Sequence, residues 1–213
     1  MTMTTEVHLH HDDPDTVGSR ERFGVALLIV ADIAFVFSLV FTYTYLRFLN
    51  TDGAWMPEGM VAAAPGETWL VTGAMILGLV VFALGARDLK AGKQPKFRRA
   101  AWIALVLSII ALVLQIQQMR NFNFSLGEKG YFAGTYSSSM MTLAGANAFH
   151  LTLTAIITLG MANRARLGKY NEPTSWQPRL ATYWWLWVTI SAVVVGLMTT
   201  FLVASPSLPS MGT

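Results

Sequence analysis

The chain has 213 residues, of which 54% are hydrophobic and only 13% charged, and its mean hydropathy is +0.47. Soluble domains carry about 25% charged residues, so this composition indicates a membrane protein, and the small net charge of +3 gives no reason to expect a nucleic-acid partner. The absence of cysteine excludes disulfides, thiolate metal sites and cysteine nucleophiles.

Five apolar stretches follow a polar N-terminal segment. Each has about 20 residues, the length that a helix needs to cross the hydrocarbon of a bilayer. The polar N-terminal segment lacks the apolar core and the cleavage site of a signal peptide, so we expect no cleavage there. The sequence predicts an all-α integral membrane bundle of five transmembrane helices at 22–204, with a polar tail at 1–21 and a short tail at 205–213. The predicted spans are Gly24–Leu46, Thr68–Ala86, Ala100–Gln118, Leu143–Ala162 and Thr182–Ala204.

Basic residues are distributed unevenly between the two sides of these spans. All but three of the 15 Lys and Arg lie in the N-terminal tail, in the link between the second and third spans, or in the link between the fourth and fifth. Positively charged loops remain in the cytoplasm, so the N-terminus is predicted to be cytoplasmic and the C-terminus to lie outside. The three basic residues on the other side are Arg47, Arg120 and Lys129.

Aromatic, amide and small residues near the span ends have structural interpretations. Trp and Tyr there are typical of the belts at the two membrane interfaces. The run "QIQQMRNFNF" is predicted to be the interfacial end of the third helix. The small residues Gly145, Ala146 and Ala148 in the fourth span, and "GAMILG" in the second, are predicted to allow close helix packing. The predicted belt residues are Trp55, Trp69, Trp102, Tyr183 and Trp184.

Ionisable groups are almost absent from the predicted spans. The single acid there is Asp32 and the single histidine is His150. A haem held between two histidines, or a catalytic zinc or copper centre, needs more ligands than one imidazole and one carboxylate. We therefore expect no catalytic residue, metal or haem in this chain. An ionisable group inside a membrane is nevertheless a functional hypothesis that calls for a partner.

Asp32 and His150 are predicted to be partners. Each lies about 10–12 Å below one membrane surface, at about 1.5 Å per residue, so both fall in the middle third of the hydrocarbon. A carboxylate and an imidazole on facing helices offset the cost of burying each other. Hydroxyls further along the first span are candidates to extend this polar network. They belong to Ser38, Thr42 and Thr44.

The surroundings of Asp32 resemble a known family. In "RFGVALLIVADIAFVF", Arg22, Gly24 and Asp32 have the spacing of an arginine, a glycine and a buried acid in subunit III of the haem–copper respiratory oxidases. The family also has a tryptophan–proline turn before its next helix, and "AWMPEG" is similar, with Trp55 and Pro57. The resemblance is to the shorter, five-helix bacterial form and extends over the chain after residue 20.

The last two predicted spans carry the rest of the resemblance. The next-to-last helix of the family contains a glycine–phenylalanine–histidine–glycine–leucine–histidine motif, and "GANAFH" matches its first and last positions with Gly145 and His150. The final helix of the family begins with a tyrosine–tryptophan pair, matched here by Tyr183 and Trp184.

Several positions depart from the family pattern. The buried acid is aspartate, whereas cytochrome c oxidases usually have glutamate and quinol oxidase relatives can have aspartate. Asn147 replaces the first histidine of the motif, and Trp185 and Val188 stand where the family has histidine and aspartate. Because of these departures, the resemblance does not define the type of oxidase or the details of a lipid or proton role.

The resemblance implies a non-catalytic core subunit of a proton-pumping terminal oxidase in aerobic respiration. Such a subunit lies in the bacterial plasma (inner) membrane as a multi-pass protein, with oxidase subunit I, other oxidase subunits and phospholipids as partners. Haem and copper belong to the catalytic partner subunit, and this chain has no redox centre of its own. It stabilises that partner, holds phospholipid in a cleft between helices and supports proton uptake.

Three other interpretations remain open from the sequence. The nearest is an accessory subunit of the same kind in a quinol oxidase or a nitric oxide reductase, which the electron donor would distinguish. A small proton-coupled transporter would use Asp32 as its proton site, but five spans leave no even inverted repeat. A stand-alone membrane enzyme would need a substrate pocket beside an acid–base pair, and the sequence shows none.

Overall fold

The computed structural model describes residues 14–51, 55–56, 59–124, 134–170 and 174–204, and this part of the chain is all-helical. Each of its five helices is long and apolar enough to cross a membrane, so the prediction of five long apolar helices is confirmed. The helices are α1 (Pro14–Leu49), α2 (Pro65–Lys90), α3 (Gln94–Asn121), α4 (Thr135–Arg166) and α5 (Trp176–Phe201).

The helices extend beyond most of the predicted span ends. α1 begins at Pro14 instead of Gly24, because a helix goes on hydrogen-bonding its own backbone after the apolar run has ended. Prolines lie in the first turns of α2 and α3, where their missing N–H costs no hydrogen bond. In the tight link between these two helices, Gly92 has a φ of +74°, a conformation that a side chain would strain.

Close approach of α2 to its neighbours depends on two glycines. A Cβ at Gly85 would lie well inside van der Waals contact of the Ala100 Cβ on α3. A Cβ at Gly78 would lie 2.7 Å from the ring of Trp185 on α5. Gly145, in contrast, has no atom within 4 Å of such a Cβ, so the predicted close packing does not occur there.

Large aromatic side chains fill the interior between the helices. At the end of the bundle near the α2–α3 link, Phe82, Phe97, Tyr170 and Trp185 pack together. At the opposite end, the core consists mainly of Tyr43, Trp55, Phe124 and Tyr136.

The predicted interfacial belt is correct for only part of the aromatic residues. Trp55 and Trp184 are 0% and 4% exposed, so both belong to the core. They are buried because helices and loops of this chain cover them, which the position of a residue along a span does not reveal. Trp69, Trp102 and Tyr183 are partly exposed on the outside of the bundle.

α1 is the least buried helix. Only 6% of its most apolar 18-residue window is buried, against 50% for α5. Within the described residues it packs on α4 and α5 and on no other helix. Near its C-terminal end, the Tyr43 hydroxyl donates to the Leu202 carbonyl (3.2 Å) and Arg47 Nε donates to the Ala204 carbonyl (2.9 Å). Most of the surface of α1 is therefore free to contact lipid or another chain.

Candidate functional site

The structure brings Asp32 and His150 together inside the bundle. Asp32 Oδ1 on α1 lies 3.0 Å from His150 Nε2 on α4. The second carboxylate oxygen, Oδ2, accepts a hydrogen bond of 2.6 Å from the indole Nε1 of Trp187 on α5. One carboxylate thus joins three helices, and we call Asp32, His150 and Trp187 the Asp32 site.

The Asp32 site is enclosed mainly by apolar and aromatic groups. The side chains of His150 and Asp32 are 2% and 14% exposed. The imidazole meets Phe35 and Trp184 edge-on, with ring centroids 6.5 and 6.0 Å apart. With its proton on Nε2, the imidazole donates to the carboxylate, so both carboxylate oxygens have N–H donors. Hydrogen bonds from two other helices to one carboxyl group can hold α1 in place.

Two further tryptophans of α5 are held through their indole N–H groups. Trp184 Nε1 donates to Thr154 Oγ1, and Trp185 Nε1 donates to Thr158 Oγ1, both at 3.0 Å. Thr154 in turn donates to the His150 carbonyl at 2.8 Å. These contacts connect α5 to α4 directly beside the Asp32 site.

The hydroxyls predicted to extend the network do not do so. Ser38, Thr42 and Thr44 each donate to a backbone carbonyl of α1 itself, three or four residues earlier. A hydroxyl on a membrane helix finds its own backbone at hand, so it needs no partner on another helix.

Three residues of the resemblance, Arg22, Gly24 and Trp55, lie apart from the Asp32 site. Arg22 Nε donates to the Gly18 carbonyl of its own helix, and a Cβ at Gly24 would meet nothing within 4 Å. Trp55 packs edge-on between Tyr43 and Tyr136 in the core.

Two further motif residues of the resemblance are Pro57 and Tyr183, and Tyr183 shares a groove with Trp187 of the Asp32 site. Pro57 lies outside the described residues. Tyr183, which is half exposed, and Trp187 both line a groove of about 500 Å³ between α1 and α5, with Arg22 at one end. The Asp32 site is therefore next to an apolar groove on the bundle surface.

A second buried polar network was missed by the sequence analysis. Gln115 and Gln118 are 3% and 2% exposed, so the glutamine-rich run is not simply an interfacial end. Asn147 Nδ2 donates to Gln115 Oε1 (2.6 Å), and Gln115 Nε2 donates to Gln118 Oε1 (2.9 Å). Gln118 Nε2 then donates to Thr68 Oγ1 (2.7 Å), which completes a chain from α4 through α3 to α2.

Neither the glutamine network nor the role of Trp187 was predicted, although the sequence contains a signal for each. Gln115 and Gln118 continue, at helical spacing, the stripe of small residues formed by Ser108 and Ala111, all of which face inward. Trp187 lies eleven residues into α5, where its indole N–H needs an acceptor because lipid offers none.

No cluster that could hold a metal is found in the described part of the chain: three His, Cys, Asp or Glu side chains do not come together there. The Asp32 site has one imidazole and one carboxylate, fewer ligands than a protein zinc or copper centre uses.

Comparison with known proteins adds a relative. The chain is similar to cytochrome c oxidase subunit 3. The match is to the protein of Dugong dugon, at 23% identity over 147 residues, which are 67% of this chain and 54% of the relative. The chain thus spans about half the length of the curated relative that it matches. No protein-family model matches the chain.

Proposed function

We propose that this protein is a non-catalytic, subunit III-like core subunit of a proton-pumping terminal oxidase in the bacterial plasma membrane. The likeness to cytochrome c oxidase subunit 3 and the five membrane-length helices support this proposal. Haem and copper reside in the catalytic partner subunit. The membrane domain comprises 22–204, with the N-terminal tail in the cytoplasm and the short C-terminal tail outside.

The observation that carries the proposal is the Asp32 site. A carboxylate is costly inside a membrane, and here it is retained with two N–H donors from two helices. Its position favours a role in holding α1 on the bundle, where α1 presents its apolar surface to the catalytic subunit and to lipid. The same site supports proton uptake by holding a proton between Asp32 Oδ1 and His150 Nε2.

Phospholipid is a second partner in this proposal. The groove between α1 and α5 is almost entirely apolar and ends at Arg22, so its shape and charge suit an acyl chain with a phosphate near the guanidinium. Lipid there would also cover part of the surface that α1 leaves exposed.

The decisive experiment is purification of the tagged full-length protein from its native membrane in mild detergent. A haem spectrum together with a large, histidine-rich membrane chain supports the proposal. Activity with reduced cytochrome c or with quinol then identifies the electron donor, and reduction of nitric oxide in place of oxygen identifies a reductase. A colourless chain that purifies alone contradicts the proposal, and proton flux by that chain would favour a transporter.

A further inference from the structure

A second groove lies at the basic end of the bundle, where α2 ends and α5 begins. Its volume is about 260 Å³, and it shares only Tyr183 with the lining of the groove between α1 and α5. Three of its seven lining residues are basic, and they come from both helices. We call it the basic groove; its lining is Ala83, Ala86, Arg87, Lys90, Arg179, Thr182 and Tyr183.

The three cations of the basic groove are available to a ligand. Arg87 and Lys90 lie one turn apart on α2, Arg179 is in the first turn of α5, and all three are exposed. The nearest acid in sequence, Asp88, forms an ion pair of 3.5 Å with Lys93 instead. None of the three cations is paired with a carboxylate in the part of the chain that the structure describes. Three unpaired positive charges around one concavity favour a bound anion.

The membrane-facing half of the basic groove is apolar. Ala83 and Ala86 leave space that larger side chains would fill, and Tyr183 borders it from α5. Exposed apolar side chains continue from there along the outside of both helices. A ligand that matches these two halves carries an anionic group at one end and hydrocarbon at the other. The continuing apolar residues are Val80, Leu84 and Leu186.

We propose that the basic groove binds the phosphate and glycerol of an anionic glycerophospholipid, with its acyl chains along α2 and α5. Basic pockets between transmembrane helices at the cytoplasmic side suit such head groups. The inference rests on the proposed function only in that the chain spans a membrane with this end at the cytoplasmic leaflet. It does not depend on the identity of the catalytic partner.

Lipid retention by the purified complex tests the proposal. The complex is placed in nanodiscs of phosphatidylcholine with increasing phosphatidylglycerol, and lipids retained after transfer to detergent are counted by native mass spectrometry. A basic residue that lies beside the bound head group contributes a factor of about five in affinity. We therefore expect the triple change R87Q/K90Q/R179Q to lower the affinity for phosphatidylglycerol at least about tenfold. Ala83→Leu fills the groove without changing charge and should lower it as well.

A matched control distinguishes binding in the basic groove from general attraction of anionic lipid to the basic end of the bundle. The change K96Q/R98Q/R99Q removes the same charge from exposed positions in the first turns of α3, at the same end of the bundle. It should leave phosphatidylglycerol retention within about twofold of the wild type. Equal losses in both triple variants, or no preference for phosphatidylglycerol in the wild type, would overturn the proposal.

Two more outcomes are informative. Displacement of the lipid by excess inorganic phosphate at constant ionic strength would show a simple anion site and overturn the lipid assignment. Specific retention of phosphatidylglycerol by a chain that purifies without a haem-containing partner would support the basic groove while contradicting the proposed oxidase function. The two proposals therefore fail separately.

Discussion

Trp187 Nε1 lies 2.6 Å from Asp32 Oδ2, on the side of the carboxylate opposite His150. Because the indole comes from α5 and the imidazole from α4, one side chain of α1 fixes its position against both neighbours. α1 has little other burial, so this contact carries more of its attachment than a single residue usually does.

In the proposed oxidase complex, Asp32→Ala should loosen α1 and leave the redox centres of the partner subunit undisturbed. Interhelical hydrogen bonds in membrane proteins are worth about 0.6–1.7 kcal/mol each, so the loss of two destabilises the packing of α1 by roughly 1–3 kcal/mol. We expect an unchanged haem spectrum, with a lower melting temperature and faster loss of activity during turnover. Ser38→Ala is the control, because that hydroxyl bonds only the backbone of α1. Unchanged assembly and turnover in Asp32→Ala would reduce Asp32 to a tolerated packing residue.

Gly85→Ala should weaken the packing of α2 on α3. The added methyl overlaps Ala100, and neither a short side chain nor a helix backbone can move aside, so we expect a cost of about 1–3 kcal/mol. Thermal unfolding of the purified protein measures it. Gly145→Ala meets no neighbour and gains up to about 1 kcal/mol of helix propensity. Equal melting temperatures for the two variants would contradict the close approach of α2 to α3.

Gln115→Leu should destabilise the bundle although leucine is more apolar. It removes the acceptor of Asn147 and the donor to Gln118, and an unsatisfied buried polar group costs about 1–3 kcal/mol. Gln117→Leu, two residues away on the exposed side, should change the unfolding temperature little. Thermal unfolding of the two variants measures the difference. If Gln115→Leu unfolds at the same temperature as the wild type, the network does not contribute to stability.

Alkaline pH should destabilise the loop between α4 and α5 through Tyr170. Burial raises the pKa of the Tyr170 phenol, and nearby Arg164 opposes this only in part. Since the folded-state pKa lies above the unfolded value of about 10, the stabilisation is complete below about pH 10 and is lost as pH rises through the folded-state pKa. Between neutral and alkaline pH, the wild type should therefore lose more thermal stability than Tyr170→Phe, because the variant lacks this one phenol. If the difference in unfolding temperature between the two proteins stays constant from neutral to alkaline pH, Tyr170 does not cause the loss of stability.

The predicted orientation can be tested with single cysteines, because the chain has none of its own. Lys96→Cys lies at the basic end and Ala64→Cys at the opposite end, both exposed. In intact cells, a membrane-impermeant maleimide should label Ala64→Cys and leave Lys96→Cys unlabelled. Disruption of the cells should expose both, and the reverse pattern in intact cells would invert the proposed topology.

Sequence patterns predicted the elements better than their contacts. Apolar runs of about 20 residues are a direct consequence of bilayer thickness, so the number of helices followed from length and composition. Asp32 and His150 stood out because ionisable groups are rare at that depth, and the structure places them in contact.

Contacts that depend on how helices are rotated were not predictable in the same way. Trp184 was assigned to an interface although Thr154 accepts its N–H in the core, and the Ser and Thr of α1 were expected to reach other helices. A single sequence gives the depth of a residue, but the direction it faces follows only from which helices pack together. Gln115 is a second example, because an amide near a helix end can lie either at the membrane interface or in the core of the bundle.

The sparse attachment of α1 has a consequence for biogenesis. Asp32 is synthesised 118 residues before His150, which at about 5–20 residues per second leaves the carboxylate without this partner for roughly 6–24 s. During that interval an acid in the hydrocarbon costs about 2.5–3.5 kcal/mol, and the rest of the helix must offset it. α1 has the most apolar window of the five helices. Its surplus apolarity secures insertion into the bilayer before the helices that will hold it have left the ribosome.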